Sequence, residues 1–271
     1  MYNSSENPDS SGMMWRCLES NQVMLGIEID RYMRTFLNQR VHIGVGSNPN
    51  TTLKIAKRYY KDHVGKLDHY YRLNDVSYSI ARVCNKIIPS VGKSRKTLEY
   101  VPDADELKKL LLEERLKTYT PYKDFAYIEH RYMEHPVYQY DIWNIADAAV
   151  RTNSVLITRK VWHKDSNVIK IIDFIGEGQD LKGLAEAFDL LMAQDNSEYI
   201  DIYSYGLSDR LLRSMGMLRL EEDDANIIPN YFEPFEQRNV DIYYVASSLE
   251  NLHLYRGDAD QDRPNFIDNK V

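Results

Sequence analysis

Cysteine is nearly absent: Cys17 and Cys84 are the only two in 271 residues. That excludes a disulfide scaffold and fits a reduced, cytoplasmic chain. Long apolar runs are missing too. No uncharged stretch of about 18 residues occurs, and the opening MYNSSENPDSSG lacks the basic and apolar regions of a secretion signal. We therefore expect a cytoplasmic protein with no membrane span. Basic charge is in deficit, with 34 Lys and Arg against 41 Asp and Glu and a net charge of −7. Polyanion binding draws most of its affinity from Lys and Arg, so nucleic acid is not an expected partner.

Several catalytic signatures are also missing. There is no Walker loop, no Gly-x-Ser-x-Gly elbow and no HExxH or Cys/His zinc spacing. His130 and His135 do not share a helix face, and Cys17 and Cys84 have no arrangement of a nucleophile. Asp258, Asp260 and Asp262 alternate as in a calcium loop, but Arg263 and Asn269 stand where an EF-hand needs Gly and Glu. Neither a metal nor a covalent intermediate is expected.

What is present is an ordinary globular balance, 43% apolar and 28% charged, enough for one large domain or two modest ones. Tyrosine stands out, with 21 against 7 Phe and 3 Trp. Its ring and hydroxyl together suit pockets that are part dry and part polar.

Residues 1–12 read as a loop, followed by broken helical spacing over 13–37, a strand at 41–45 and a helix over 51–60. Strands are expected at 67–73 and 79–88, then an exposed connection to about 99. Asp103 and Glu106 form the start of a capped helix, and a boundary is placed near Thr118. The second half reads as a helix at 124–133, strands at 138–145 and 154–162, and a nearly continuous apolar strand at 168–175. A loop Gly176-Glu177-Gly178-Gln179-Asp180 follows, then a helix to about 194, a strand at 199–205, a helix at 209–215 and a closing strand at 241–247. This order is α/β with a mixed sheet. Asp173 inside the apolar strand is either a satisfied core group or a base of raised pKa.

The order resembles the core of the Gcn5-related N-acetyltransferase (GNAT) superfamily, in which a strand, a loop and a helix N-terminus bind the diphosphate of acyl-CoA. The family loop reads Gln/Arg-x-x-Gly-x-Gly/Ala; here Gln179-Asp180-Leu181-Lys182-Gly183-Leu184-Ala185 is one residue longer. The resemblance gives Gly178, Gln179 and Gly183 to the acyl-CoA co-substrate. Ordinary turn chemistry with Asp180 as a cap accounts for the same residues. In the first half, Asn50 and Tyr59 resemble the family's Asn and Tyr near the CoA thiol, and imply Asn50 as a CoA contact and Tyr59 as the acid for the leaving thiolate. The expected architecture is tandem GNAT-like units, 1–118 abbreviated and 119–271 the fuller one.

The segments Asn226–Phe235 and Tyr255–Asn265 resemble bacterial sugar N-acyltransferases of surface-polysaccharide pathways that act on dTDP-linked 3-amino-3,6-dideoxyhexoses. This implies acyl transfer from acyl-CoA to the amine of a nucleotide-linked amino sugar, with Asn230, Tyr231, Tyr255, Asp260, Asp262, Arg263 and Asn265 at the sugar nucleotide. Asp173, Glu177 or a tail aspartate is the expected base. A non-catalytic nucleotide-sugar binding module and a tRNA-dependent aminoacyl transferase stay open as rivals.

Overall fold

The computed structural model describes residues 1–12, 24–90, 92–148, 152–222 and 224–259. In chain order the first half supplies β1 (Asp9–Ser11), α1 (Leu25–Phe36), β2 (Val41–Val45), α2 (Thr52–Ile55), β3 (His63–Lys66), β4 (Asp68–Leu73) and β5 (Lys96–Tyr100). There follow α3 (Ala104–Leu110), α4 (Glu113–Leu116), α5 (Phe125–Ile128), β6 (Asp141–Asp147), β7 (Val155–His163) and β8 (Ser166–Ile175). The remainder is α6 (Ala185–Ala193), β9 (Tyr199–Tyr205), α7 (Asp209–Ser214), β10 (Leu218–Arg219), β11 (Tyr231–Phe232), β12 (Phe235–Glu236), β13 (Tyr243–Ala246) and β14 (Leu254–Tyr255). The fold is mixed α/β.

Two sheets share one plan. The large sheet runs β10-β4-β9-β8-β7-β6-β5, and the small one β1-β2-β13-β3. Each contains a parallel pair, β8 with β9 or β1 with β2. Beside it lies an antiparallel strand from the other half of the chain, β4 on β9 or β13 on β2, and then a strand of its own half, β10 or β3. The exchange has a local cause. Only Leu67 separates β3 from β4, and a hairpin needs at least about two turn residues, so β4 cannot fold back on β3 and runs into the other sheet. Strands from 1–118 and 119–271 thus pair with one another.

Packing follows from the side-chain alternation of the strands. On one face of the large sheet, Ile169, Ile171, Ile200 and Ile202 meet Phe188 and Met192 of α6 and Leu212 of α7. On the other, Ile142, Ile157 and Ile172 meet Leu107 of α3, Leu116 of α4 and Ile128 of α5. Asp103 and Asp124 accept the backbone N–H of Glu106 and Tyr127 at 2.9 and 2.8 Å, starting α3 and α5 as N-caps.

Three expectations are corrected. Residues 1–12 are not a loose start, since Tyr2, Asn3, Asp9 and Ser10 are buried and β1 is a strand. Residues 79–88 are not a strand; the buried Glu198 carboxylate accepts the backbone N–H groups of Ser79, Ile80 and Ala81 and holds them as a bend. Residues 96–100 are exposed or half-buried as expected, but form the strand β5, antiparallel to β6, and not a connection.

Candidate active site

Strands β8 and β9 start together and then part. Their parallel pairing ends at Ile171 and Ile202, although both strands continue. A bulge starts the separation: Ile157 faces Asp173 while Thr158 faces Ile171, so Ile172 is an extra residue that bends β8. Beyond that point β14 takes the place beside β9, pairing Tyr255 with Ser204 and Leu254 with Tyr205. Gly257 then sits against β8. A Cβ there would meet the Tyr132 hydroxyl at 2.6 Å and the Ile172 carbonyl at 3.0 Å, so only glycine fits this close approach.

A pocket of about 20 Å³ opens at the carboxyl end of β8, lined by Phe174, Ile175 and Gly176 of the strand and by Leu116, Tyr119, Pro121, Lys123, His253 and Tyr255. That volume holds about one water. Lys123 is buried in its wall, 2.6 Å from Asp173 and 2.9 Å from Asp258. Burial opposes the ammonium charge, but the two carboxylates outweigh it and hold the Lys123 pKa above the ordinary lysine value. Asp173 also accepts the Tyr132 hydroxyl at 2.5 Å and the Phe174 backbone N–H at 2.9 Å. Burial raises its pKa against the pull of Lys123. Asp173 thus has the partners of a satisfied core group and also the raised pKa expected of a base.

At the mouth, the Tyr119 hydroxyl donates to Glu177 at 3.0 Å, and burial followed by this hydrogen bond raises the tyrosine pKa. His253 stands edge-on to Tyr119. Burial lowers the histidine pKa, while the Asn251 carbonyl works the other way.

The loop after β8 makes a tight turn over Gly178–Leu181 and enters α6 through Gly183 at φ +83. No side chain caps the first turn of α6, which leaves its backbone N–H groups for another acceptor. Against an anion there, the carboxylate of Asp180 lies in the same turn, three residues before Gly183. Its carboxylate accepts the Ser154 hydroxyl at 2.5 Å, and the loop carbonyls of Gln179 and Asp180 accept Lys96 at 3.2 and 2.7 Å.

The remaining expected residues do not gather at this pocket as one set. Tyr255 lines it and is buried. Asn230 is buried elsewhere and accepts the Arg256 guanidinium through side chain and backbone. Tyr231 carries Arg238 over its ring at 5.6 Å. Asn50 is exposed in a turn, its N–H donating to Asn48 at 2.8 Å, and Tyr59 is exposed beneath Arg58. Asp260, Asp262, Arg263 and Asn265 lie outside the described residues, as does Cys17.

The fold is similar to that of a conserved protein of unknown function from Enterococcus faecalis V583, named a probable N-acyltransferase, at TM-score 0.50 and 9% identity. The match covers 90% of this chain and 55% of that one. A GCN5-related N-acetyltransferase from Anabaena variabilis ATCC 29413 is similar at TM-score 0.47 and 12% identity, over 84% of this chain and 50% of that one. The likeness is one of fold. This chain spans about half the length of both proteins. No family model matches the sequence, and no curated protein matches it. Among the described residues, no helix is long and apolar enough to cross a membrane.

Sequence reasoning missed Lys123, Tyr119, Tyr132 and His253. One signal was available for the lysine. A carboxylate in an apolar strand requires a buried partner, so Asp173 implied a cation or donors without saying which.

Proposed function

We propose that the protein transfers an acyl group from acyl-CoA to an amine, and that the amine belongs to a nucleotide-linked sugar of the dTDP-3-amino-3,6-dideoxyhexose kind. The observation that carries the first part is the parting of β8 and β9 over a pocket, beside the uncapped first turn of α6. Backbone N–H groups and the dipole at that turn suit a diphosphate, with Gly178, Gln179 and Gly183 in the approach. The amino-sugar part rests on the likeness of Asn226–Phe235 and Tyr255–Asn265 to sugar N-acyltransferases, with Asn230, Tyr231, Tyr255, Asp260, Asp262, Arg263 and Asn265 as its contacts.

On this reading the thioester carbonyl enters the pocket, where backbone N–H groups of the parted strands hold the developing oxyanion. Tyr119 takes the acid role expected of Tyr59, because it stands at the pocket and Tyr59 is exposed on the other half. Glu177 orients the Tyr119 hydroxyl. Asp173 fixes Lys123, whose charge faces the site without leaving the core.

A specific observation favours a second reading, a nucleotide-sugar binding module that has lost its donor. The Leu254–Asp258 segment fills the gap between the strands, the pocket holds about one water, and the Asp180 carboxylate stands in the turn before α6, unfavourable to an anion there. Incubation with short acyl-CoAs and dTDP-amino sugars, followed by assay of free thiol and of amide by mass spectrometry, separates the two. Turnover supports the transferase. Calorimetric heat with the sugar nucleotide but none with CoA, and no amide, overturns it in favour of the module.

A further inference from the structure

The geometry points to His253 as the base that takes the proton from the acceptor amine, an assignment that rests on the acyltransferase reading. His253 lines the pocket and is a half-buried residue. Its Nδ1 lies 3.1 Å from the Asn251 carbonyl oxygen. A carbonyl only accepts, so Nδ1 carries the hydrogen and Nε2 keeps the lone pair.

The backbone around the ring is fixed. The His253 N–H donates to the Thr120 carbonyl at 2.7 Å, and the Thr120 N–H donates to Asn251 at 3.2 Å. Gly206, at φ +96, makes room for this segment: a Cβ there would stand 2.3 Å from the Leu252 carbonyl and 2.9 Å from the His253 ring. Tyr119 meets the ring edge-on at 6.3 Å. Glu177 across the mouth favours the protonated ring and Lys123 in the pocket wall opposes it, with burial the larger influence toward the neutral form. A neutral imidazole with a fixed tautomer, an unprotonated Nε2 and a tyrosine beside it is the chemistry that proton transfer from an ammonium requires. Asp173, by contrast, is fully buried and already accepts Lys123, Tyr132 and the Phe174 N–H.

The step balances as follows. An N–H bond of the ammonium breaks, its proton moves to Nε2 and leaves through the mouth to solvent, and the freed nitrogen pair forms the C–N bond with the thioester carbon. A second N–H proton then passes to Nε2 as the C–S bond breaks. The thiolate takes the phenolic proton of Tyr119, and the imidazolium restores it. The products are an amide, a free thiol and one proton in solution.

The test compares wild type, His253→Gln and His253→Gly across pH in the thiol-release assay, with near-ultraviolet circular dichroism confirming the fold. The expected result is a fall of about 10²- to 10⁴-fold in kcat/KM near pH 7 for His253→Gln, with a smaller deficit at high pH where the amine is already free. His253→Gly should regain activity with added imidazole. Wild-type turnover together with a His253→Gln profile within about threefold at every pH overturns the assignment alone. A wild type that releases no thiol overturns the parent reading, and this one with it. ¹⁵N NMR of the histidine rings gives a readout without turnover, and a His253 ring protonated on Nε2 in its neutral form also overturns the proposal.

Discussion

The small and large sheets start from the same strand plan and end differently at the place where the parallel pair stops. In the small sheet Gly12 carries the pairing one residue past β1, its N–H donating to Ile43 at 2.7 Å, and Val45 then bridges Ala259. The charges nearby bind one another. Arg34 contacts Asp30 at 2.9 Å and Asp62 at 3.0 Å, and the Ser10 hydroxyl meets His42 Nδ1 at 3.1 Å. In the large sheet the bulge at Ile172 separates the strands, a glycine-bearing segment enters, and two carboxylates converge on one lysine beside a pocket. Strand order alone therefore does not make a site. One extra residue in β8 and a buried lysine shared by two carboxylates distinguish the two places.

The largest test of that contrast is Lys123→Met. It leaves Asp173 and Asp258 buried without their shared cation and should cost about 3–5 kcal/mol by urea unfolding. Arg34→Met in the small sheet strands only one buried carboxylate, Asp62, while Asp30 remains partly open to water, and should cost less, about 1–3 kcal/mol. Equal losses would show that the small-sheet cluster is as tightly committed as the pocket wall.

The next effect is one of pH. Burial lowers the His42 pKa to about 4. The unfolded chain binds a proton below about pH 6.5 that the folded state refuses, so this stabilisation is full above pH 6.5 and is lost as pH falls toward 4. A shift from 6.5 to about 4 corresponds to about 3 kcal/mol. His69 and His253 share the direction of shift, so the difference between wild type and His42→Gln, measured as unfolding midpoints at both ends of that range, isolates the small-sheet share. An unchanged difference removes His42 as its source.

Gly257→Ala should cost about 1–3 kcal/mol through overpacking against Ile172 and Tyr132. The smallest expected effect is that of Tyr59→Phe, within about 0.5 kcal/mol in stability and with turnover unchanged, whereas Tyr119→Phe should lower thiol release about tenfold or more. The reverse pattern would move the site to the first half.

Legibility in the sequence followed how local the cause was. The apolar run at 168–175, the strand at 199–205 and the cap Asp103 are short-range patterns, and each has its counterpart in the structure. The bend at 79–81 was hidden because its acceptor, Glu198, is more than a hundred residues away. β5 was hidden because Lys96–Tyr100 has only partly buried or exposed residues and gains its order from pairing with β6. The pocket was the least legible part. Tyr119, Lys123 and His253 meet across about 130 residues of chain, and none sits in a pattern that marks it.

The single residue between β3 and β4 also sets a timetable. As the chain is made, Val41–Val45 and His63–Lys66 are present early, but the strand that must lie between them, Tyr243–Ala246, follows roughly 180 residues later. At about 5–20 residues per second that is an interval of about ten seconds or more, during which the facing edges of two strands wait unpaired. The nascent first half must be shielded for that time, so its yield in translation should depend more on chaperones than that of a sheet whose neighbours are made in sequence.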